Sequence, residues 1–153
     1  MAFWSKPFIK VAQFIVLVVP LWSHAESGPG TLVLLELSGL GEASGDLYIA
    51  VYDAEANWLG DDTYLDKKVA IADALEGELV RTEVVLPPGE YAVSIFHDRN
   101  NNGELDTNFI GMPKEPIAMS NNARPKFGPP KYEDAVFSVG DEQVTQKIIM
   151  NEL

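Results

Sequence analysis

The sequence predicts an all-β fold, an antiparallel sandwich of two sheets with about seven strands. Three observations support this prediction. After residue 30, apolar residues recur with a period of two or in short runs; glycine, proline, asparagine and aspartate separate these runs; and no helical pattern of any length is present. Short strands at this spacing bury their apolar faces when two sheets pack together.

Each strand is predicted from alternating or continuous apolar residues that end at turn residues. The segment 54–66 carries Trp58 and Tyr64 among acids and indicates a packed loop, while 69–75 suits either a helical turn or a short strand. The interval from Asn100 to about Glu133 has little periodicity and predicts one long loop region. The predicted strands are 31–37, 46–52, 80–86, 91–98, 135–139 and 144–150.

Two hairpins are expected from the turn residues. The glycine-rich connection 39–45 predicts that the first two strands pair with each other. Gly140 and Asp141 predict a second hairpin between the last two strands.

The first 25 residues have the three parts of a cleavable secretory signal. Lys6 and Lys10 are basic, an apolar run follows, and Ser23-His24-Ala25 is a small-x-small cleavage site. The apolar run of about twelve residues is too short to cross a bilayer, which needs about 20. We therefore expect cleavage after Ala25, a single mature domain of residues 26–153 without a membrane span, and a periplasmic or secreted location.

Net charge and composition exclude some classes of partner and of chemistry. The formal charge of the 153-residue chain is −12, and removal of residues 1–25 takes away two lysines and no acid, which makes it −14. Such a surface repels nucleic acid and attracts divalent cations. Cysteine is absent from the sequence, which excludes disulfides, thiol nucleophiles and lipidated cysteine.

The segment 98–106 has the spacing of a calcium loop. Oxygen-bearing residues stand at positions 1, 3, 5 and 9, with glycine at position 6, as in the first three-quarters of an EF-hand loop. Alternate side chains in a tight loop point to one centre, and Gly103 allows the turn. The predicted calcium ligands are Asp98, Asn100, Asn102, the carbonyl of Glu104, and Asp106.

The calcium loop departs from the EF-hand at position 12, where Phe109 replaces the bidentate glutamate. A seventh ligand would then come from elsewhere, for instance Asp134, or from water. The alternative is an ordinary β-turn, because asparagine tolerates left-handed backbone conformations and bonds to its own backbone.

A second group of chemistry-bearing residues lies in the loop 109–132. Arg124 has the planar fork that binds carboxylate or phosphate, and Asn121 and Asn122 precede it. These residues indicate either a ligand-recognition loop or internal bonds that order the loop, including Arg124 paired with an acid of the calcium loop. The second interpretation is favoured.

Catalysis has little support in the sequence. His97 is the one histidine left after signal cleavage, and no serine lies in a nucleophile elbow. A hydrolase or isomerase would need His97 as its base, with Asp98 or Asp106 orienting the ring. The simpler interpretation is that His97 ends a strand and packs locally.

The longer motifs of the sequence lie at 86–93, 96–98, 100–108, 120–124, 127–130 and 133–135. They resemble a bacterial family of exported proteins, domain of unknown function 2141. The resemblance extends from about residue 32 to residue 153 and implies a small exported protein without an established activity. A more distant resemblance to prealbumin-like repeat domains implies a sandwich with a structural calcium. The expected fold is therefore prealbumin-like or immunoglobulin-like.

We therefore expect an exported β-sandwich module without enzymatic activity, stabilised by calcium, which acts by binding a protein, small molecule or glycan, or by assembly. One alternative is a small-ligand or glycan binder that uses the loop 109–132, with Trp58, Tyr64 and Phe127 as stacking surfaces. The other is the hydrolase or isomerase based on His97.

Overall fold

The computed structural model describes residues 30–125 and 128–150, so the predicted signal segment 1–25 lies outside the described residues. The described chain forms nine strands and two short helices, α1 (Ile71–Ala74) and α2 (Tyr132–Ala135), with 3-10 turns at Glu55–Asn57 and Ser120–Asn122. The strands are β1 Thr31–Ser38, β2 Asp46–Tyr52, β3 Leu65–Ala70, β4 Leu75–Glu76, β5 Leu79–Leu86, β6 Gly89–Asp98, β7 Ile117–Met119, β8 Phe137–Val139 and β9 Val144–Ile149.

The nine strands form two sheets, which confirms the predicted all-β sandwich. The first sheet has the order β4-β5-β1-β9, and the second has the order β3-β2-β6-β7 with β8 also paired to β6. All pairs are antiparallel except β1 with β9, which is parallel. Three strands were not predicted outright. β3 overlaps the end of the predicted packed loop 54–66 and the ambiguous segment 69–75, and only Val69 among its residues is buried. β4 and β7 have two and three residues, too few to show a period of two.

Both predicted hairpins are wrong. β1 pairs with β5 and β9, whereas β2 pairs with β3 and β6, so the connection 39–45 crosses from one sheet to the other. β8 and β9 also lie in different sheets. The physical reason is that all these strands have an apolar face, and periodicity shows that a face is buried but not which strand lies beside it.

The core lies between the two sheets. Six apolar inward side chains of β1 and β2, at every second residue, have at most 1% of their surface exposed, as the alternation predicted. These residues are Val33, Leu35, Leu37, Leu47, Ile49 and Val51. The ambiguous segment 69–75 ends β3, forms α1 with Ile71 fully buried, and continues into β4.

The connection between β6 and β8 has two parts. Residues 99–116 leave the end of β6, whereas β7, the 3-10 turn and α2 lie within residues 117–125 and 128–135. This second part covers the outer face of β6: Ala92 packs with Met119 and Ala135, while the neighbouring Tyr91 and Val93 belong to the main core. Among the described helices, none is long and apolar enough to span a membrane.

Candidate metal site

The predicted calcium loop begins on a buried carboxylate at the end of β6. Asp98 has no exposed surface, although it directly precedes an exposed loop. Its Oδ1 accepts a hydrogen bond from the backbone N–H of Asn102 at 3.2 Å, and its Oδ2 accepts one from Gly103 at 2.8 Å. Gly103 has a φ of 83°, a left-handed backbone conformation that is unfavourable for residues with a side chain. The loop is therefore wound around Asp98.

Three of the predicted ligand side chains meet in this loop. The Nδ2 atoms of Asn100 and Asn102 donate to the two carboxylate oxygens of Asp106, at 2.7 and 3.2 Å. The Oδ1 of Asn100 accepts the backbone N–H of Asn102 at 3.0 Å, and the Oδ1 of Asn102 accepts that of Glu104 at 2.8 Å. The spacing 98, 100, 102, 106 thus brings side chains to one place.

The donor set consists of carboxylates and amides. Among residues 30–125 and 128–150, no three His, Cys, Asp or Glu side chains form a group that could hold a metal ion. A cation here would depend on the amide oxygens of Asn100 and Asn102. A half-turn of each amide brings its oxygen to the position of its nitrogen, and it also ends the bond that this oxygen accepts from the backbone N–H of Asn102 or Glu104. Oxygen atoms of this kind are the ligands that calcium takes.

Glu115 closes the loop, and the sequence analysis missed it. Its side chain is buried, with 5% of the residue surface exposed. Oε1 accepts the backbone N–H of Arg99 and Oε2 accepts that of Asp106, each at 3.0 Å, so one carboxylate joins the two ends of the loop. Glu115 stands between Lys114 and Pro116, and no local pattern in the sequence distinguishes it from an exposed acid.

The residue at position 12 points away from the loop. Phe109 is 98% exposed and lies at the tip of a hairpin that is closed by a bridge between Thr107 and Pro113. The tip is held by Asn108, whose Oδ1 accepts the backbone N–H groups of Ile110 and Met112, each at 3.0 Å. We call residues 107–113 the apolar finger.

His97 is sealed inside the sandwich beside the loop. It has no exposed surface, its Nε2 lies 2.6 Å from the carbonyl oxygen of Ser44, and a Cβ on Gly45 would lie 3.2 Å from that nitrogen. Its Nδ1 has no hydrogen-bond partner among the described residues. No described hydrogen bond joins the ring to Asp98 or Asp106.

Asn121 and Asn122 bond to the first sheet and to the segment before β8. The Nδ2 of Asn122 donates to the carbonyl of Lys147 at 2.9 Å, and its Oδ1 accepts the N–H of Ile149 at 2.8 Å. The Nδ2 of Asn121 donates to the carbonyl of Val136 at 2.7 Å. The Asn122 side chain therefore satisfies two backbone groups on the outer edge of β9, the last strand of the first sheet.

Arg124 and Asp134 line a surface pocket and make no described bond to the predicted calcium loop. Both line an open surface pocket with Pro130, Lys131 and Glu133. In the described part of the chain, no hydrogen bond or ion pair joins Arg124 or Asp134 to residues 98–106.

The predicted stacking aromatics belong to separate clusters. Trp58 is half-buried, contacts Tyr52 and Tyr132 edge to face, and donates from Nε1 to the carbonyl of Pro130 at 2.8 Å. Burial raises the pKa of the Tyr52 hydroxyl in this cluster. Tyr64 is 44% exposed and contacts Tyr91. Phe127 lies outside the described residues.

A family model described as an uncharacterized protein conserved in bacteria, DUF2141, matches residues 35–147. The chain belongs to this family. No curated protein and no solved structure matches the chain.

The DUF2141 match begins in β1 and ends in β9, so it includes both sheets, the loop 98–106, Glu115 and the apolar finger. The DUF2141 description names no activity, and a shared fold does not by itself assign one. This member of DUF2141 offers hard oxygen donors in one loop, which suits cation binding.

Proposed function

We propose that this protein is an exported, calcium-stabilised β-sandwich module that acts by binding or assembly. The observation that carries the proposal is the meeting of Asn100, Asn102 and Asp106 in a loop wound around the buried Asp98. Calcium takes six to eight oxygens in flexible geometry, so water or backbone carbonyls such as that of Glu104 would complete the shell.

Charge favours a cation in this loop. The chain carries a formal charge of −12, and Asp98 and Asp106 lie in one short loop whose other predicted ligands are amides. A divalent cation would offset the repulsion between the two carboxylates. Extracellular calcium modules bind with a Kd of about 10⁻⁴ M, and we expect a comparable value here.

Burial of His97 supports binding rather than catalysis. A general base must reach its proton at about 2.6–3.2 Å, directly or through one water. His97 has no exposed surface, and its Nε2 is engaged by the Ser44 carbonyl. The ring is therefore placed to join β6 to the connection 39–45.

Export is supported by the pattern of residues 1–25, which has a basic start, a short apolar run and a small-x-small cleavage site. The test is expression of the complete gene in a bacterial host, followed by mass spectrometry of the product in the periplasm and medium. We expect a product that begins at Glu26. A product that stays in the cytoplasm with an intact N-terminus contradicts export.

Calcium binding is tested by isothermal titration calorimetry on residues 26–153 after treatment with EDTA. We expect one site in the wild type and at least about a tenfold weaker site in Asp106→Asn, since the variant removes one charged ligand. The matched control is Asp141→Asn, an exposed aspartate between β8 and β9. Absence of calcium heat in the wild type overturns the calcium proposal.

A further inference from the structure

The apolar finger exposes three large side chains next to one another. Phe109 is 98% exposed, Ile110 68% and Met112 54%, so they form the most exposed group of large apolar residues in the described chain. Other exposed apolar side chains, such as Val85 and Ile149, lie on separate strands. Adjacent exposed apolar residues mark an interaction site more often than single ones.

Hydrogen bonds order the backbone of the apolar finger, although its large side chains are exposed to solvent. The N–H of Asn108 donates to the carbonyl of Met112 at 2.8 Å, and the N–H of Gly111 donates to the carbonyl of Asn108 at 3.0 Å. With the two bonds to the Asn108 side chain, the backbone of the tip is largely satisfied. The exposure is therefore a property of an ordered hairpin rather than of an unstructured loop.

The size of the finger favours a lipid surface over a protein partner. A stable protein interface buries about 800 Å² on each partner. A phenylalanine side chain buries about 150–250 Å², so three side chains supply only part of that area. Insertion of a few apolar side chains at a membrane interface needs no matching surface, because the acyl chains adapt to the inserted groups.

Charge identifies the kind of lipid surface. Residues 107–113 contain no charged side chain, and at the base of the finger the N–H of Lys114 donates to the carbonyl of Asp106, which places one base beside one acid. The chain as a whole is strongly acidic, so anionic headgroups repel it. We propose that Phe109, Ile110 and Met112 insert into a membrane surface of electrically neutral phospholipid. This proposal does not rest on calcium binding.

The test is flotation of residues 26–153, which contain every described strand, with phosphatidylcholine vesicles. The partition coefficient is compared with that of F109S/I110S/M112S and of the control V85T, which alters an exposed apolar residue on β5. We expect the triple variant to bind at least about tenfold more weakly, since each lost apolar side chain costs a large part of the transfer free energy. V85T should bind like the wild type.

Three results would overturn the proposal. They are absence of wild-type binding to phosphatidylcholine vesicles, equal binding by the triple variant, and stronger binding to phosphatidylglycerol than to phosphatidylcholine in EDTA. A fourth result, self-association without lipid that the triple variant loses, would also overturn it and would assign the finger to a second copy of the chain. Because the three side chains are exposed, the variant should melt like the wild type, and a thermal melt checks this.

Discussion

The two parts of the connection between β6 and β8 make different kinds of contacts. Residues 99–116 bond mainly within themselves, through Asp106, Glu115 and Asn108. Residues 117–135 bond to the sandwich, through Ser120 to β6 and Asn122 to β9. The second part therefore belongs to the fold, whereas the first part is an ordered appendage whose residues are available for binding.

The largest effect is expected from Ser120→Ala in the second part. Ser120 is fully buried; its Oγ accepts the N–H of Val93 at 2.9 Å and donates to the carbonyl of Ala135 at 2.6 Å. The variant leaves two buried backbone groups without partners, so unfolding free energy should fall by about 2–4 kcal/mol. Urea denaturation measures this. Ser138→Ala, at an exposed position, should change it by less than about 0.5 kcal/mol.

Glu115→Gln should weaken the first part locally. One carboxylate oxygen becomes an amide that faces a backbone N–H, which costs about 1–3 kcal/mol. Hydrogen exchange should accelerate at the amides of Arg99 and Asp106 and stay unchanged in β1. Glu104→Gln is the matched control, because the Glu104 side chain is exposed. Equal acceleration in β1 would show that the appendage is part of the global core.

A smaller effect is expected where the second part meets β9. Asn122→Ala removes the hydrogen bonds to Lys147 and Ile149, and it places alanine at a φ of 53°. The free energy of unfolding, measured by urea denaturation, should therefore fall by about 1–2 kcal/mol. Asn122→Gly loses the same bonds but tolerates this φ. If glycine is as destabilising as alanine, backbone conformation contributes nothing at this position.

The smallest effect is expected at the finger. Phe109→Ser should alter the free energy of unfolding by less than about 0.5 kcal/mol, because the side chain is 98% exposed and leaves no cavity. Urea denaturation in the absence of lipid measures this. A loss above about 1 kcal/mol would mean that the finger packs on the sandwich in solution.

The sequence predicted the sandwich and most strand positions because alternation directly reports buried faces, as in β1 and β2. Strand partners were not predictable: the connection 39–45 resembles a hairpin turn, and nothing local shows that it crosses between sheets. The convergence of Asn100, Asn102 and Asp106 follows from their spacing, since these contacts are local, whereas calcium binding by the loop 98–106 stays a prediction. Glu115 was not, because its role depends on a return of the chain nine residues after Asp106.

The most direct test of the calcium account is a thermal melt of residues 26–153 in EDTA and in 10 mM calcium, with Asp106→Asn in parallel. If Kd is about 10⁻⁴ M, calcium at 100 times Kd stabilises the folded state by about 2.7 kcal/mol. The account predicts that Tm of the wild type rises by several degrees and that the variant loses most of this rise. Wild-type melts that coincide in EDTA and calcium would contradict it, and the loop would then be a turn held by its own asparagines.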